Sequence, residues 1–225
     1  MSILQAFEEK GYVVAPSILG PNEIASIESA LSNVLTSNAG TRNLLELEWC
    51  QSLVARVRAE PSIRELLPGS SVAVQCTLFD KTPKRNWLVP LHQDLSIPVS
   101  ARVAHLELRA WSTKEGQDFV QPPDDLLAEL VAVRLHIDEC GPDNGPLRVV
   151  PGSHREGRLA APAARLLRDC LGEVACAVGR GGALILKPLL LHASSKASSP
   201  NHRRVLHFLF GPASIGYGLR WQHAF

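Results

Sequence analysis

The 225-residue sequence contains no apolar run long enough to span a bilayer. Its longest apolar stretch, Ala183 to Ala193, is interrupted by Lys187 and Pro188. It has no CxxC pair. Its five cysteines (Cys50, Cys76, Cys140, Cys170, Cys176) are odd in number and irregularly spaced. That argues against a disulfide framework or a zinc knuckle and for reduced thiols in a cytoplasmic compartment. It has no excess of charge. A net charge of +1 gives no reason to expect nucleic acid or an anionic membrane surface as a partner. The opening MSILQAFEEK is too polar and acidic for a signal or transit peptide. There is no internal repeat and no low-complexity tract. Gly172, Gly179, Gly181 and Gly182 read as turn residues, not as a phosphate loop. What remains is an ordinary globular composition, 45% apolar and 20% charged, long enough for one domain with a large core. No feature of the pattern specifies an oligomer.

The first 70 residues read as a helical N-terminal part. Gly11-Tyr12-Val13-Val14 is a short β-prone run. Pro21 then opens a helix from the position where its missing N–H is harmless, and Ile24, Ile27, Leu31, Val34 and Leu35 follow at helical spacing. A second amphipathic stretch covers Leu53 to Leu67, broken near Pro61. From residue 71 the texture changes. Strands are expected at Ser71 to Phe79, Leu130 to Ile137, Leu147 to Val150, Glu173 to Val178, Ala183 to Lys187 and Val205 to Phe210. Turn signals separate them at Asp143-Asn144-Gly145, Pro151-Gly152-Ser153, Gly179 to Gly182 and Ser199-Pro200-Asn201. Short helices fit Asp124 to Glu129 and Pro162 to Cys170. Residues 71–225 therefore predict a mainly β domain, a sandwich or jelly-roll core with helices packed outside. The stretch from Leu95 to Pro123 is long, polar and poorly periodic, which predicts a functional loop or lid.

His92-Gln93-Asp94 places an imidazole and a carboxylate two residues apart, so on an extended segment both point the same way and can meet on one metal ion. Two histidines and one carboxylate leave open positions on iron that oxygenases use. The motif alone is weak. With eight His and eight Asp, chance gives roughly 0.3 such pairs, and a surface loop holding both residues is the plain alternative. Further along, Leu189-Leu190-Leu191-His192 ends an apolar strand in a polar turn, and eleven positions later Arg203 enters another apolar strand. A distal His can complete a metal site, and an Arg on the next strand can clamp a carboxylate in two-pronged fashion. Arg203 could equally be a strand-edge charge, and Arg204 is its competitor.

These elements together resemble the phytanoyl-CoA dioxygenase-like oxygenases over nearly the whole chain. The resemblance runs from Phe7 to Val14 and the Gly20-Pro-Asn-Glu-Ile24 helix start, through His92-Gln-Asp94, Asp143-Asn-Gly-Pro-Leu147 and Pro151-Gly-Ser-His154, to His192, Ser194 and Arg203. It implies a double-stranded β-helix (jelly-roll) fold with Fe(II), 2-oxoglutarate and O2 as cofactor and co-substrates. It also implies iron ligands at His92, Asp94 and His192, with the 2-oxoglutarate carboxylate held by Arg203 and Ser194. A reducing compartment suits a ferrous site. The implied reaction is hydroxylation of an unactivated C–H bond in a small or medium organic substrate, with release of succinate and CO2. With Asp94 filling the carboxylate position there is no vacancy for a halide, so hydroxylation is favoured over halogenation.

Two departures from the phytanoyl-CoA enzyme itself bear on the substrate. Arg134 stands where that enzyme has an aromatic pocket residue, and the segment between Asp94 and Arg134 is longer. By strand alternation Arg134, His136 and Asp138 share one face. If it faces the barrel interior, Arg134 and His136 are substrate-binding residues and the substrate carries an anionic group; if it faces out, the three are a solvated charge cluster. Gln75 and Thr77 alternate toward the same interior and could contact co-substrate or substrate, or serve structural hydrogen bonds. His207 is either near the pocket or a core histidine, and His154 reads as a turn element. Two other classes stay open: a non-catalytic small-molecule-binding jelly roll, and a cupin-type metal-dependent isomerase, which usually needs more histidines close together.

Overall fold

The computed structural model describes residues 1–34, 40–198 and 200–225; Leu35 of the first helical pattern and Ser199 of the last turn signal lie outside them. Before the main strands come α1 (Ile3–Lys10), β1 (Tyr12–Ala15), α2 (Pro21–Ser32), β2 (Gly40–Thr41), α3 (Glu48–Ala59) and α4 (Pro61–Arg64). Helix α1 is capped by the Ser2 hydroxyl, which accepts from Gln5 N–H, and closes at Gly11 in the left-handed region. Helix α2 starts with Pro21 at its first turn, and the Glu23 carboxylate accepts from Gly20 N–H at 2.8 Å. The amphipathic stretch that breaks near Pro61 is α3 followed by α4, with α3 beginning five residues earlier than its periodicity suggested.

The remaining elements are β3 (Ser71–Lys81), β4 (Val89–His92), β5 (Ile97–Val99), β6 (Arg109–Lys114), β7 (Gln117–Gln121), α5 (Asp124–Ala128), β8 (Val131–His136), β9 (Leu147–Val149), α6 (Ala161–Leu171), β10 (Val174–Cys176), β11 (Ala183–Leu186), β12 (His192–Ser194) and β13 (Arg203–Pro212). They form a six-stranded sheet in the order β1-β11-β8-β13-β3-β2, a four-stranded sheet β10-β9-β12-β4, and a three-stranded sheet β5-β7-β6. Every pairing of these strands is antiparallel. This is the jelly-roll architecture with flanking helices. The N-terminal part is not purely helical: β1 and β2 extend both edges of the large sheet.

Period-2 alternation sorts the large sheet into two faces. Val131, Val133, Leu135, Leu206, Phe208 and Phe210 pack outward against the helices, joining Ile24, Ile27, Leu53, Val54 and Val57 in one core. Ala132, Leu184 and Leu209 turn inward and meet Leu147, Val149 and Cys176 of the four-stranded sheet in a second core. Strand β3 keeps this sorting through a bulge. Gln75 pairs with Leu209 and Ala73 with Phe210, so Val74 is the extra residue. Ala73 thereby packs on the helical side while Gln75, Thr77 and Phe79 face inward.

The segment 95–123, expected as an irregular loop, instead carries the whole three-stranded sheet. Its polarity has a physical reason. β6 is an edge strand whose residues are exposed or half-buried, while Phe119 and Val120 on its neighbour β7 and Ile97 and Val99 on β5 beyond it are buried. A wet edge erases the alternation that announces a strand. The β6–β7 turn places Glu115 and Gly116 at φ 50° and 81°, the geometry of a tight two-residue hairpin. No described helix is long and apolar enough to cross a membrane.

Candidate metal centre and its cavity

β4 and β12 are neighbours, and their register sets His92 directly opposite His192. The two imidazoles lie 4.2 Å apart between ring centroids. Asp94 follows just past the end of β4, where its backbone N–H donates to Pro188 O at 2.9 Å. Its two carboxylate oxygens lie 3.5 Å from His92 Nε2 and 3.6 Å from His192 Nε2. One potential ligand atom from each residue falls within 4.8 Å of the others, the only such cluster among the described residues. Both rings are pre-set. His92 Nδ1 lies 2.8 Å from Pro90 O and His192 Nδ1 2.8 Å from Leu190 O. A carbonyl can only accept, so each Nδ1 carries the proton and each Nε2 lone pair is left for a cation.

Electrostatics suits a ligand role at Asp94 and His192, while at His92 burial is outweighed by Asp94, which raises it. Burial raises Asp94, but His192 and His92 beside it outweigh that and hold its carboxyl well below the usual carboxylate range. Burial pushes His192 down to about 4 against the pull of Asp94. A neutral imidazole and an ionised carboxylate are the forms that bind metal.

Two residues between and behind the ligands hold this geometry. Gln93 is turned away from the cation site: its amide nitrogen donates to Gly157 O at 2.8 Å and Leu189 O at 2.6 Å, and its oxygen accepts from Leu159 N–H at 2.9 Å. It thereby ties the His92–Asp94 segment to the strand entering His192. Ser153, fully buried, accepts from Leu191 N–H at 2.9 Å. The Pro151-Gly-Ser-His154 run is thus a brace for the segment entering His192; His154 itself lies away, with Nε2 3.1 Å from Glu8 O.

The ligands open on a cavity of about 390 Å3. Gln75, Thr77, Ser194, Arg203 and Arg134 line it together with the triad. Gln75 Nε2 donates to Thr77 Oγ1 at 2.7 Å, so part of their polar capacity is used along the strand. Arg203 Nη1 donates to Gly145 O, while its Nε has no partner. Gly145 sits at φ 60°, and a Cβ there would meet Ser195 O at 2.6 Å, so the Asn144-Gly145 turn places that carbonyl only with glycine. Arg204 turns to the opposite face and bonds Asp138 and Glu28.

Arg134 faces inward, 8% exposed. Its Nη1 donates to His207 Nδ1 at 2.9 Å and its guanidinium lies 5.2 Å from the Phe79 ring. Its Nε has no partner, and burial with Arg203 nearby lowers it to about 10. His207, on the cavity wall, is pushed down to about 3 by burial and Arg134. Two expectations need correction. Asp138 does not share the face of Arg134: β8 ends at His136, alternation stops there, and Asp138 pairs with Arg204 instead. His136 faces inward but stands behind the cavity wall, buried and pushed down to about 3 by burial, Arg134 and Arg203.

Sequence reasoning passed over Lys81, Lys114, Gln93 and Arg42. Lys81 continues the Gln75–Thr77–Phe79 alternation, so parity could have found it. Its ammonium donates to Ser194 Oγ at 3.2 Å and Ser195 O at 2.8 Å, and burial with Arg203 close by lowers it to about 8. Lys114 lies 4.7 Å from the Phe119 ring on the opposite wall. Arg42 comes from the segment before β3, where nothing in the pattern marks it.

The sequence profile of a family described as phytanoyl-CoA dioxygenase (PhyH) matches residues 7–205. A curated relative, the ectoine dioxygenase of Sphingopyxis alaskensis, is 22% identical over 167 residues, 67% of this chain and 48% of the relative. The chain thus spans about half the length of that relative. Among solved structures, EctD from S. alaskensis with 2-oxoglutarate and 5-hydroxyectoine superposes with a TM-score of 0.70 at 18% identity, covering 93% of this chain and 75% of that one. HygX from Streptomyces hygroscopicus, with nickel and 2-oxoglutarate bound, gives 0.66 at 18% identity, covering 96% and 92%. These likenesses show a shared fold.

The geometry makes a direct prediction. His92→Ala and Asp94→Ala keep the fold, because both side chains face a cavity and not the core, but lose tight Fe(II) binding in anaerobic titration. Unchanged affinity in either variant removes that residue from the centre.

Proposed function

This chain belongs to the phytanoyl-CoA dioxygenase family, and from that premise we propose that it hydroxylates a C–H bond of a small or medium organic substrate, using Fe(II), 2-oxoglutarate and O2. His92, Asp94 and His192 hold the iron. When bound, iron with 2-oxoglutarate and O2 supplies an oxidant able to take hydrogen from an unactivated C–H bond, with succinate and CO2 released. Asp94 occupies the carboxylate position, which favours hydroxylation over halogenation. Arg203 neutralises the far carboxylate of 2-oxoglutarate, Ser194 donates a hydrogen bond to it, and Gln75 and Thr77 offer polar contacts from the neighbouring strand. The observation that carries this reading is the meeting of three ligand atoms within 4.8 Å at the wall of a cavity that Arg203 also lines. The five free thiols support a reducing, cytoplasmic setting, as ferrous iron needs.

The substrate bears an anionic group that Arg134 receives. A buried guanidinium without an anionic partner is costly, by several kcal/mol. Asp138 is committed to Arg204, and Arg203 is assigned to the co-substrate. Among the described residues no carboxylate forms an ion pair with Arg134, so an incoming carboxylate is its natural partner. The sheet β5-β7-β6 is the lid. It supplies Ile97, Lys114 and Phe119 to the cavity wall, and its hairpin tip is fastened to the N-terminal part mainly through Glu115. That carboxylate accepts from Thr41 Oγ1 and Arg42 N–H at 2.8 Å and pairs with Arg42 Nη1 at 2.7 Å. Both partners are about one-third exposed, so the latch contributes little and can open.

Three outcomes test these assignments. Reconstituted anaerobically with Fe(II) and 2-oxoglutarate and then given O2, the protein releases succinate, faster with a suitable organic acid; Arg203→Ala weakens 2-oxoglutarate by about 2–5 kcal/mol, while Arg204→Ala does little. Absence of succinate under every condition rejects the oxygenase, and a larger effect at Arg204 reverses the register of β13. Arg134→Leu raises KM for the substrate and leaves uncoupled 2-oxoglutarate turnover nearly intact; loss of 2-oxoglutarate binding instead would make Arg134 a second co-substrate clamp. Limited proteolysis cuts first within 95–123 in the ligand-free protein and slows when iron, co-substrate and substrate are added, whereas equal cutting with and without them counts against a lid.

A further inference from the structure

Lys81 is 1% exposed and among the largest fully buried side chains of the molecule. It ends β3 directly opposite Arg203 in the β3–β13 register, on the same inward face. From there its ammonium crosses to the four-stranded sheet, donating to Ser194 Oγ at 3.2 Å and Ser195 O at 2.8 Å, and lies 5.2 Å from the Trp87 ring. Two cations therefore sit at one end of the cavity, Arg203 on its wall and Lys81 just behind it. Among the described residues their partners are a hydroxyl, two carbonyls, a thiol and an aromatic ring, and neither forms an ion pair with a carboxylate. Such a pair repels itself at close quarters and needs an anion to settle it.

The chemistry of the Ser194 contact adds a direction. An ammonium carries only donors, so Ser194 Oγ must accept from Lys81. The hydroxyl hydrogen of Ser194 is then left free to donate elsewhere, and Ser194 lines the cavity.

We propose that Lys81 is a positioning residue for the far carboxylate of the co-substrate: it holds Ser194 with its hydroxyl hydrogen free for that carboxylate and adds a second positive charge beside Arg203. This rests on the 2-oxoglutarate reading above. Lys81 bonds Ser194, pairs with Arg203 across the strand register and stands outside the cavity wall.

The test compares two ligands on the anaerobic Fe(II) protein by calorimetry: 2-oxoglutarate, and 2-oxobutyrate, which has the same keto-acid head but no second carboxylate. Wild type prefers 2-oxoglutarate. Lys81→Met raises the Kd for 2-oxoglutarate by about tenfold or more, leaves that for 2-oxobutyrate within about twofold, and keeps Fe(II) affinity. Lys81→Arg, which keeps the charge, recovers part of the loss. An unchanged Kd for 2-oxoglutarate in Lys81→Met overturns the proposal, and so does an equal loss for both ligands, which marks a packing role. If Lys81→Met does not fold or hold iron, Lys81→Gln carries the same comparison. If wild type itself binds the two ligands alike, the co-substrate reading fails and this one with it, an outcome distinct from failure at Lys81 alone.

Discussion

The pairing of β4 with β12 is the constraint on which the site depends. It sets His92 opposite His192 with their rings 4.2 Å apart, and Asp94 completes the set from the residue after next. Neither strand is long: four residues and three. Short strands leave register weakly specified unless something else fixes it. Here Gln93, Ser153 and the two Nδ1–carbonyl bonds do so, each spending a polar group on the backbone that carries a ligand. The three candidate ligand atoms are therefore held together by the protein's own contacts, so a cation bound there would not have to order them.

The second organising fact is an imbalance of charge. Among the described residues Asp94 is the single carboxylate on the cavity wall, facing Arg42, Lys114, Arg134 and Arg203, with Lys81 just behind. Arg42 is matched by Glu115 and Arg204 by Asp138 and Glu28, but those pairs lie at the rim and on the outer face. Inside, the surplus is left for ligands. A divalent cation would add to it, and the dianionic co-substrate and anionic substrate proposed above would bring the interior toward neutrality. The low values of His136 and His207 follow first from burial and then from the same surplus, so both imidazoles stay neutral beside Arg134.

Much of this was legible one residue at a time. Period-2 alternation put Arg203 and Arg204 on opposite faces and Gln75 and Thr77 on one face, because a strand flanked by two cores must alternate; whether Arg134 looked in or out it left open, and the sheet register turns it inward. The same rule failed at Asp138, one residue pair past the end of β8, where the chain had already left the sheet. It also missed the three strands between 95 and 121, since an exposed edge strand has no apolar face to reveal it. Lys81 obeyed the rule but looked like the polar end of a strand, and its burial arises from β12, more than a hundred residues away.

The sequence by itself determined which residues can alternate, where turns fall, and that the His92-Gln-Asp94 pair, a distal histidine and an arginine exist in that order; it did not by itself set that pair apart from the second one, His136-Ile-Asp138. These are local properties, set by backbone geometry and by glycine and proline at fixed places. Only the tertiary structure decided which side chains share a cavity. Bringing His192 across to His92, giving Asp138 to Arg204, leaving Arg134 without a carboxylate and burying Lys81 beside Arg203 all depend on sheet order and register. Those follow from how two hydrophobic cores close on either face of one sheet, which no single segment encodes.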